Sequence, residues 1–358
     1  MATEQFRDKR FQNRIRLNLK MQDKSIKVWE ANTQDLIELC QRITESYLEM
    51  GIRITLRQLY YDLVSDNKIP NHDTIYKKIS SLLTDARYSG LIDWEALEDR
   101  NRPSDMHPEW KDVYALIQSA IASYRLPRWS NQEYYIELFT EKDALSSIIQ
   151  PICNQWHIQF NVNKGYSSAS IMYQLAKRIA EKIKEGKKVI LLYIGDHDPS
   201  GLDMIRDVEQ RVKEFLKVWI EDYFWETEHE NKKSEWYQTE EMGHDGWRWF
   251  FETDYMKEKF TMLPIALTME QINTLHPPPN PAKITDPRAK WYISNFGEKS
   301  WEVEALKPNY LINLINETVK KYVDADLYNT WLKLEKEHKK EMDNFAKEWK
   351  KKQEGKNK

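Results

Sequence analysis

The chain has 358 residues, enough for two or three domains with real cores. Its 54 Lys and Arg against 57 Asp and Glu give a net charge of −3, which excludes a uniformly basic nucleic-acid coat but leaves room for a local basic face. No stretch approaches the apolar length of a membrane span, residues 1–20 lack the apolar run of a secretory signal, and Cys40 and Cys153 stand in no ligand-like spacing, so a folded cytoplasmic protein with no membrane partner is expected.

Residues 1–30 carry eight Lys and Arg against four acids and read as a basic arm. Residues 33–50 are amphipathic, with Leu36, Ile37, Leu39, Cys40, Ile43 and Leu48 on one face, and Gly51 ends that helix. Thr55 is a plausible N-cap for a second helix over 56–64, and Asp73 for a third running to about Tyr88. Residues 91–94 read as a short strand. Helix, helix, turn, helix and strand over 31–105 is the order of a winged helix-turn-helix, whose last helix enters a DNA groove. Its exposed face would carry Lys77, Lys78, Ser81, Asp85 and Arg87, although many small helical domains share the pattern without touching DNA.

Residues 100–108 form a polar, Pro-containing linker, and 109–124 another helix. Over 106–220 strands alternate with helices: strands at 133–140, 158–163 and 188–194, helices at 142–153, 169–185 and from 202 to 215. That alternation predicts a parallel sheet with right-handed crossovers, hence an α/β fold. Residues 221–255 are Trp-rich and acidic and read as an irregular insertion, within a 221–308 segment that returns to the sheet. The Pro-rich 275–281 stretch is an extended connector. Helices over 309–322 and 327–352 form a C-terminal extension with a lysine-rich end expected to fray.

The most informative stretch is KVILLYIGDHDPSGLD at 188–203. A buried strand stops at Asp196 and Asp198, and Pro199 and Gly201 force a turn into a helix. Glu141 follows the first strand of the same α/β segment, and parallel strands end on one edge, where open α/β sheets keep their sites. Three carboxylates meeting there suit a hard cation such as Mg²⁺, with one left for acid–base work. The plainer readings are a first-turn residue for Glu141 and turn capping for the two aspartates.

Thr140-Glu141-Lys142-Asp143-Ala144, then Gly165-Tyr166-Ser167-Ser168, then Gly195-Asp196-His197-Asp198-Pro199-Ser200-Gly201 resemble a Toprim domain, in the version found in the A subunit of topoisomerase VI and the related Spo11 family. The resemblance implies that Glu141, Asp196 and Asp198 bind Mg²⁺ and organise a scissile DNA phosphate. Arg57-Gln58-Leu59-Tyr60-Tyr61 is similar to the Arg-x-x-Tyr-Tyr segment on the winged helix of that family, which implies Tyr61 as nucleophile and Arg57 as its support. On a helix these two share a face, and an adjacent guanidinium stabilises a phenolate. Tyr60 and Tyr61 equally suit the aromatic core of a helix-turn-helix.

The resemblance covers about residues 50–215. It further implies duplex DNA as substrate and a homodimer in which tyrosine and metal come from different protomers. No Walker-type Gly-rich loop occurs, so any coupling to ATP would take a separate ATPase subunit. His197, where the family places a smaller residue, reads as a turn histidine or a phosphate contact. Haloacid-dehalogenase phosphatases and glycosyltransferases also use Asp-x-Asp pairs, but neither accounts for the Glu-Lys-Asp-Ala stretch.

Near the C-terminal side, alternation across Trp301, Val303 and Ala305 predicts a strand with Glu302 and Glu304 on its other face, either close to the metal or on a wet edge. Lys283 and Arg288 are candidate phosphate contacts. The expected function is Mg²⁺-dependent DNA cleavage by tyrosine transesterification. The alternatives are a Toprim hydrolytic nuclease of a prophage or plasmid-defence system, and a non-catalytic DNA-binding protein.

Overall fold

A computed structural model describes residues 19–21, 29–31, 33–88, 90–93, 96–97, 109–162, 169–227 and 254–356. Most of the basic arm, the 100–108 linker, the Gly165 loop and most of the Trp-rich segment lie outside the described residues.

Four strands rich in aliphatic and aromatic residues carry the α/β part. They are β3 (Tyr134–Thr140), β4 (Gln159–Val162), β5 (Lys188–Ile194) and β6 (Phe260–Ala266), ordered β4-β3-β5-β6 and all parallel. Strands of a parallel sheet are covered on both faces, which is why β5 is a continuous apolar run rather than an alternation. Ile190, Leu192 and Ile194 face one core with Ile136 and Leu138. Val189, Leu191 and Tyr193 face the other, with Phe139. The second face is covered by α6 (Ala169–Lys184) and α7 (Pro199–Thr227), the first by α5 (Ser146–Trp156) and α11 (Pro308–Lys320).

Three N-terminal helices, α1 (Thr33–Glu49), α2 (Leu56–Ser65) and α3 (Asp73–Tyr88), bury their apolar faces in the same cluster as the first sheet face. Thr55 caps α2 as expected. Its hydroxyl accepts the Gln58 N–H and the Gln58 side chain accepts the Thr55 N–H, a reciprocal capping box. Gly51 follows α1 with φ 74°, the left-handed region that costs glycine little.

The remaining described elements are β1 (Leu19–Met21) paired antiparallel with β2 (Trp29–Ala31), α4 (Val113–Ser123), α8 (Asp254–Lys259), α9 (Met269–Leu275), β7 (Asn280–Pro281) paired with β8 (Lys299–Ser300), α10 (Ala289–Phe296) and α12 (Ala325–Lys356). Among the described residues no helix is long and apolar enough to cross a membrane.

Several expectations are corrected. Residues 91–93 form no strand; the pairing there is a single parallel bridge between Ile54 and Leu97. The helix after Glu141 starts later than Lys142, because one 3₁₀ turn (Asp143–Leu145) precedes α5. The helix after the aspartates runs on to Thr227, since its apolar face continues through Leu216 and Ile220 into the second core. Residues 303–305 are a 3₁₀ turn rather than part of a strand, and the lysine-rich end stays helical to Lys356.

Candidate functional site at the carboxyl rim of the sheet

Strands β3 and β5 pair in register up to Thr140 opposite Ile194, so Glu141 emerges level with Gly195 and Asp196. The structure therefore brings together residues 55 positions apart. The Glu141 carboxyl accepts the backbone N–H of Asp196, and burial, followed by the nearby Asp196 charge, pushes it up to about 7. Its Oε2 is buried and has no hydrogen-bond partner among the described residues.

Asp196 is 7% exposed. Its Oδ2 lies 2.7 Å from Lys142 Nζ, and its Oδ1 accepts the Val303 N–H at 2.9 Å. Burial pushes its carboxyl up, while Lys142 and Val303 pull it back. The Lys142 ammonium also lies 3.5 Å from Glu304 Oε2. Burial alone would lower it, but Asp196 and Glu304 outweigh that and hold it above the ordinary lysine range.

Asp198 caps α7: its Oδ1 accepts the Gly201 N–H at 2.6 Å, and Pro199 takes the first helical position, where its missing N–H costs nothing. A Cβ on Gly201 would stand 2.3 Å from the Asp196 carbonyl oxygen, so this turn accepts only glycine without shifting the acid pair. His197 points away from the rim. It is 3% exposed, pairs through its backbone with Trp301, shares a 2.9 Å hydrogen bond between Nδ1 and the Tyr292 hydroxyl, and packs on Phe296. Neither the exposed turn histidine nor the phosphate contact holds.

That backbone pairing carries Glu302 and Glu304 to the rim, and the 3₁₀ turn turns both inward. Glu304 is buried, so the wet-edge reading fails for it. Glu302 Oε2 lies 3.1 Å from Arg57 Nη1, an ion pair that falls outside hydrogen-bond geometry. Helix α2 packs against the 303–305 turn, and Tyr61 on it is 4% exposed. The Tyr61 hydroxyl accepts from Asn280 Nδ2 at 2.9 Å; burial and then the Glu302 charge raise its pKa, against a smaller opposing pull from Arg57. Tyr60 is equally buried, and its hydroxyl accepts the His72 N–H, so the two neighbouring tyrosines are both core residues. Arg57 also lies 5.8 Å from the Tyr76 ring centroid.

The acids and the Arg57–Tyr61 pair are thus linked within one chain, through Glu302, Glu304 and Lys142. The expected DNA contacts divide. Lys77 and Lys283 are exposed and Lys78 is half-buried. Arg87 donates to the Leu97 carbonyl at 3.4 Å, stitching the end of α3 to the following segment. Arg288 clips Asp286 at 2.7 Å to Asp203 at 2.9 Å, so its charge is spent inside the fold.

Lys142, Asn280 and Tyr193 also belong to this site, although they were not among the residues expected there. Tyr193 shared the parity of Phe139 and Glu141 on its face of the sheet, which was a usable signal. Its hydroxyl is buried without a hydrogen-bond partner among the described residues, and the charges of Glu141, Asp196 and Asp198 reach it.

Among the described residues no three His, Cys, Asp or Glu side chains gather into a ready ion cage. Lys142 engages Asp196 and the Gly201 N–H engages Asp198. The donor chemistry nonetheless fits Mg²⁺: all donors are carboxylate oxygens, and a buried Glu141 oxygen lacks a partner. The fold and rim together define a mixed α/β protein with a four-stranded parallel sheet, many helices and an acidic cluster at the strand ends. No family model, curated protein or solved structure matches this chain.

Proposed function

We propose that this chain is a Mg²⁺-dependent enzyme that breaks strands of duplex DNA, with a Toprim-type sheet carrying the acids and a winged-helix-like unit carrying Arg57 and Tyr61. The observation that supports it best is the meeting of Glu141 with Asp196 and Asp198 at one rim, with a Glu141 oxygen left unpartnered. Glu141, Asp196 and Asp198 would hold the ion, which when bound polarises a phosphodiester and stabilises charge on its oxygens. Lys142 supplies an ammonium at the same rim that offsets the Asp196 charge and suits a phosphate oxygen.

In the first reading Tyr61 attacks phosphorus, forming a phosphotyrosyl bond as the P–O bond to deoxyribose breaks, and the departing oxygen takes a proton from water to leave as a hydroxyl. The Tyr61 proton passes to a nearby carboxylate such as Glu302, and Arg57 steadies the phenolate. Tyr61 must then leave its Asn280 hydrogen bond and become accessible. In the second reading Glu141 activates water and Tyr61 stays in the core, which its 4% exposure favours. Duplex symmetry keeps a homodimer as part of the proposal, with one copy per strand. An ATPase subunit enters only if cleavage proves coupled to ATP.

The test is cleavage of supercoiled plasmid with Mg²⁺ by the wild type, Tyr61→Phe and Asp196→Asn. Protein-linked ends that vanish in Tyr61→Phe support the tyrosine reading, and free ends that persist in it support water. Cleavage absent throughout, or unchanged by Asp196→Asn, overturns the enzyme; a DNA gel shift that survives then leaves a binding protein.

A further inference from the structure

At the amino ends of the strands, on the rim opposite the acids, lies a cavity of about 770 Å³. Strand β3 runs from that end of the sheet to Glu141, and its seven residues at about 3.3 Å each span roughly 20 Å. The walls of the cavity come from the segment before β3, the end of α5, the end of α11 with the residues after it, and the first half of α12. The volume falls in the range that single small molecules occupy.

Two features define what it would take. The first is charge. Among the described residues that line it, Glu335 is the one carboxylate, against Arg125, Arg128, Lys320 and Lys339. Arg128 holds Glu335 with Nη2 at 2.9 Å from both oxygens, the Leu126 N–H donates at 3.1 Å, Lys339 lies at 3.2 Å and Arg125 at 3.9 Å. Three cations on one carboxylate leave an excess of two positive charges, and Lys320, paired with Glu317 on its own helix, stands beside them. Partly buried excess charge of one sign favours a counter-ion of the other. The second feature is an aromatic and aliphatic wall. Trp156 and Tyr328 stand with ring centroids 5.4 Å apart, flanked by Val323 and by Leu332, which is 37% exposed at the mouth.

We infer that this cavity binds a small molecule with a dianionic phosphate and a flat heterocyclic body, of the nucleoside monophosphate class. The cations match the phosphate, the rings and aliphatic side chains match the base, and the exposed Asn154 and Asn329 can meet its polar edge. The inference stands apart from the reading of the acidic rim.

Isothermal titration calorimetry of the full chain at fixed moderate salt tests it, with adenosine 5′-monophosphate, adenosine and inorganic phosphate as separate probes. The monophosphate binds with one site per chain, and adenosine and phosphate alone each bind at least tenfold more weakly. An Arg125→Gln, Lys339→Gln double variant weakens the monophosphate tenfold or more, as does Leu332→Trp, which fills the mouth. Asp196→Asn leaves the affinity unchanged. No saturable binding up to millimolar monophosphate, equal binding of phosphate alone, insensitivity to both cavity variants, or loss in Asp196→Asn each overturns it.

Discussion

Lys142 and Asp196 meet at 2.7 Å in the interior of the rim, an ammonium and a carboxylate that come from two different strand ends. Asp196 is buried on all sides, so this lysine and the Val303 N–H are what make its charge tolerable there. Around that pair lie Glu141, Glu302 and Glu304, and the local balance of sign depends on one cation from β3's end and one, Arg57, from α2.

Lys142→Met should therefore cost about 3 kcal/mol, because it strands a buried carboxylate rather than deleting a pair. Urea unfolding followed by circular dichroism measures it. A Lys142→Met, Asp196→Asn double variant should recover much of the loss, and an equal or larger loss in the double variant would sink this account.

Stability of the metal-free protein should fall as pH rises through the rim's carboxyl range. Glu141 is raised from 4.5 to about 7 in the folded chain, so the unfolded chain gives up that proton first. The stabilisation is full below about pH 4.5 and is gone above about 7, a change of about 3 kcal/mol. Asp62, pushed up to about 6 by burial despite the Tyr47 hydroxyl at 2.8 Å, slopes the same way. Glu141→Gln should flatten only its own share, making the variant more stable than the wild type at pH 8 and nearly equal at pH 4.5. Thermal melts in a chelator across that range decide it.

Gly201→Ala should disturb the acid pair directly. The new methyl would meet the Asp196 carbonyl at 2.3 Å, and overpacking of this kind costs about 1–3 kcal/mol. Because the shift falls on Asp196 itself, the plasmid cleavage proposed above should drop by more than the stability loss explains. An alanine variant with wild-type stability and cleavage would contradict the close approach.

Glu335→Ala should be among the costliest single changes outside the rim. It leaves the buried Arg128 guanidinium without its carboxylate, a loss of about 3–5 kcal/mol, visible as a lower urea midpoint. Replacing the more exposed Lys339, which only adds to the same carboxylate, should cost under about 1 kcal/mol.

Tyr61→Phe removes one hydroxyl that accepts from Asn280 and should cost about 1 kcal/mol by itself. The variant should stay folded at 25 °C by circular dichroism, so any loss of the proposed cleavage in it would report on chemistry rather than on unfolding.

Much of this fold was legible because its signals are local. The apolar runs at 134–140 and 188–194 and the Thr55 cap each act within a few residues, and the structure keeps them, whereas Pro199–Gly201 is the first turn of α7 rather than a turn before it, because proline suits the first helical position. The meeting of Glu141 with Asp196 was also legible, because parallel strands in register bring their ends to one edge whatever the loops do. The 301–305 segment misled because alternation of apolar residues fits a strand as well as a turn packed on both sides. Its pairing partner, His197, lies over a hundred residues earlier.

Sequence by itself marked β3, β4 and β5, the helices that flank them and the rim at which the acids gather, since periodicity and turn chemistry need no distant partner, but it marked neither β6 nor the helices at 269–275 and 289–296. Only the tertiary structure decided which charge neutralises which: Lys142 on Asp196, Arg57 toward Glu302, Arg288 between Asp203 and Asp286, and Tyr61 held inside by Asn280. Those pairings join residues from separate elements, and burial makes each one matter, because a charge taken out of water must find its partner wherever packing places it.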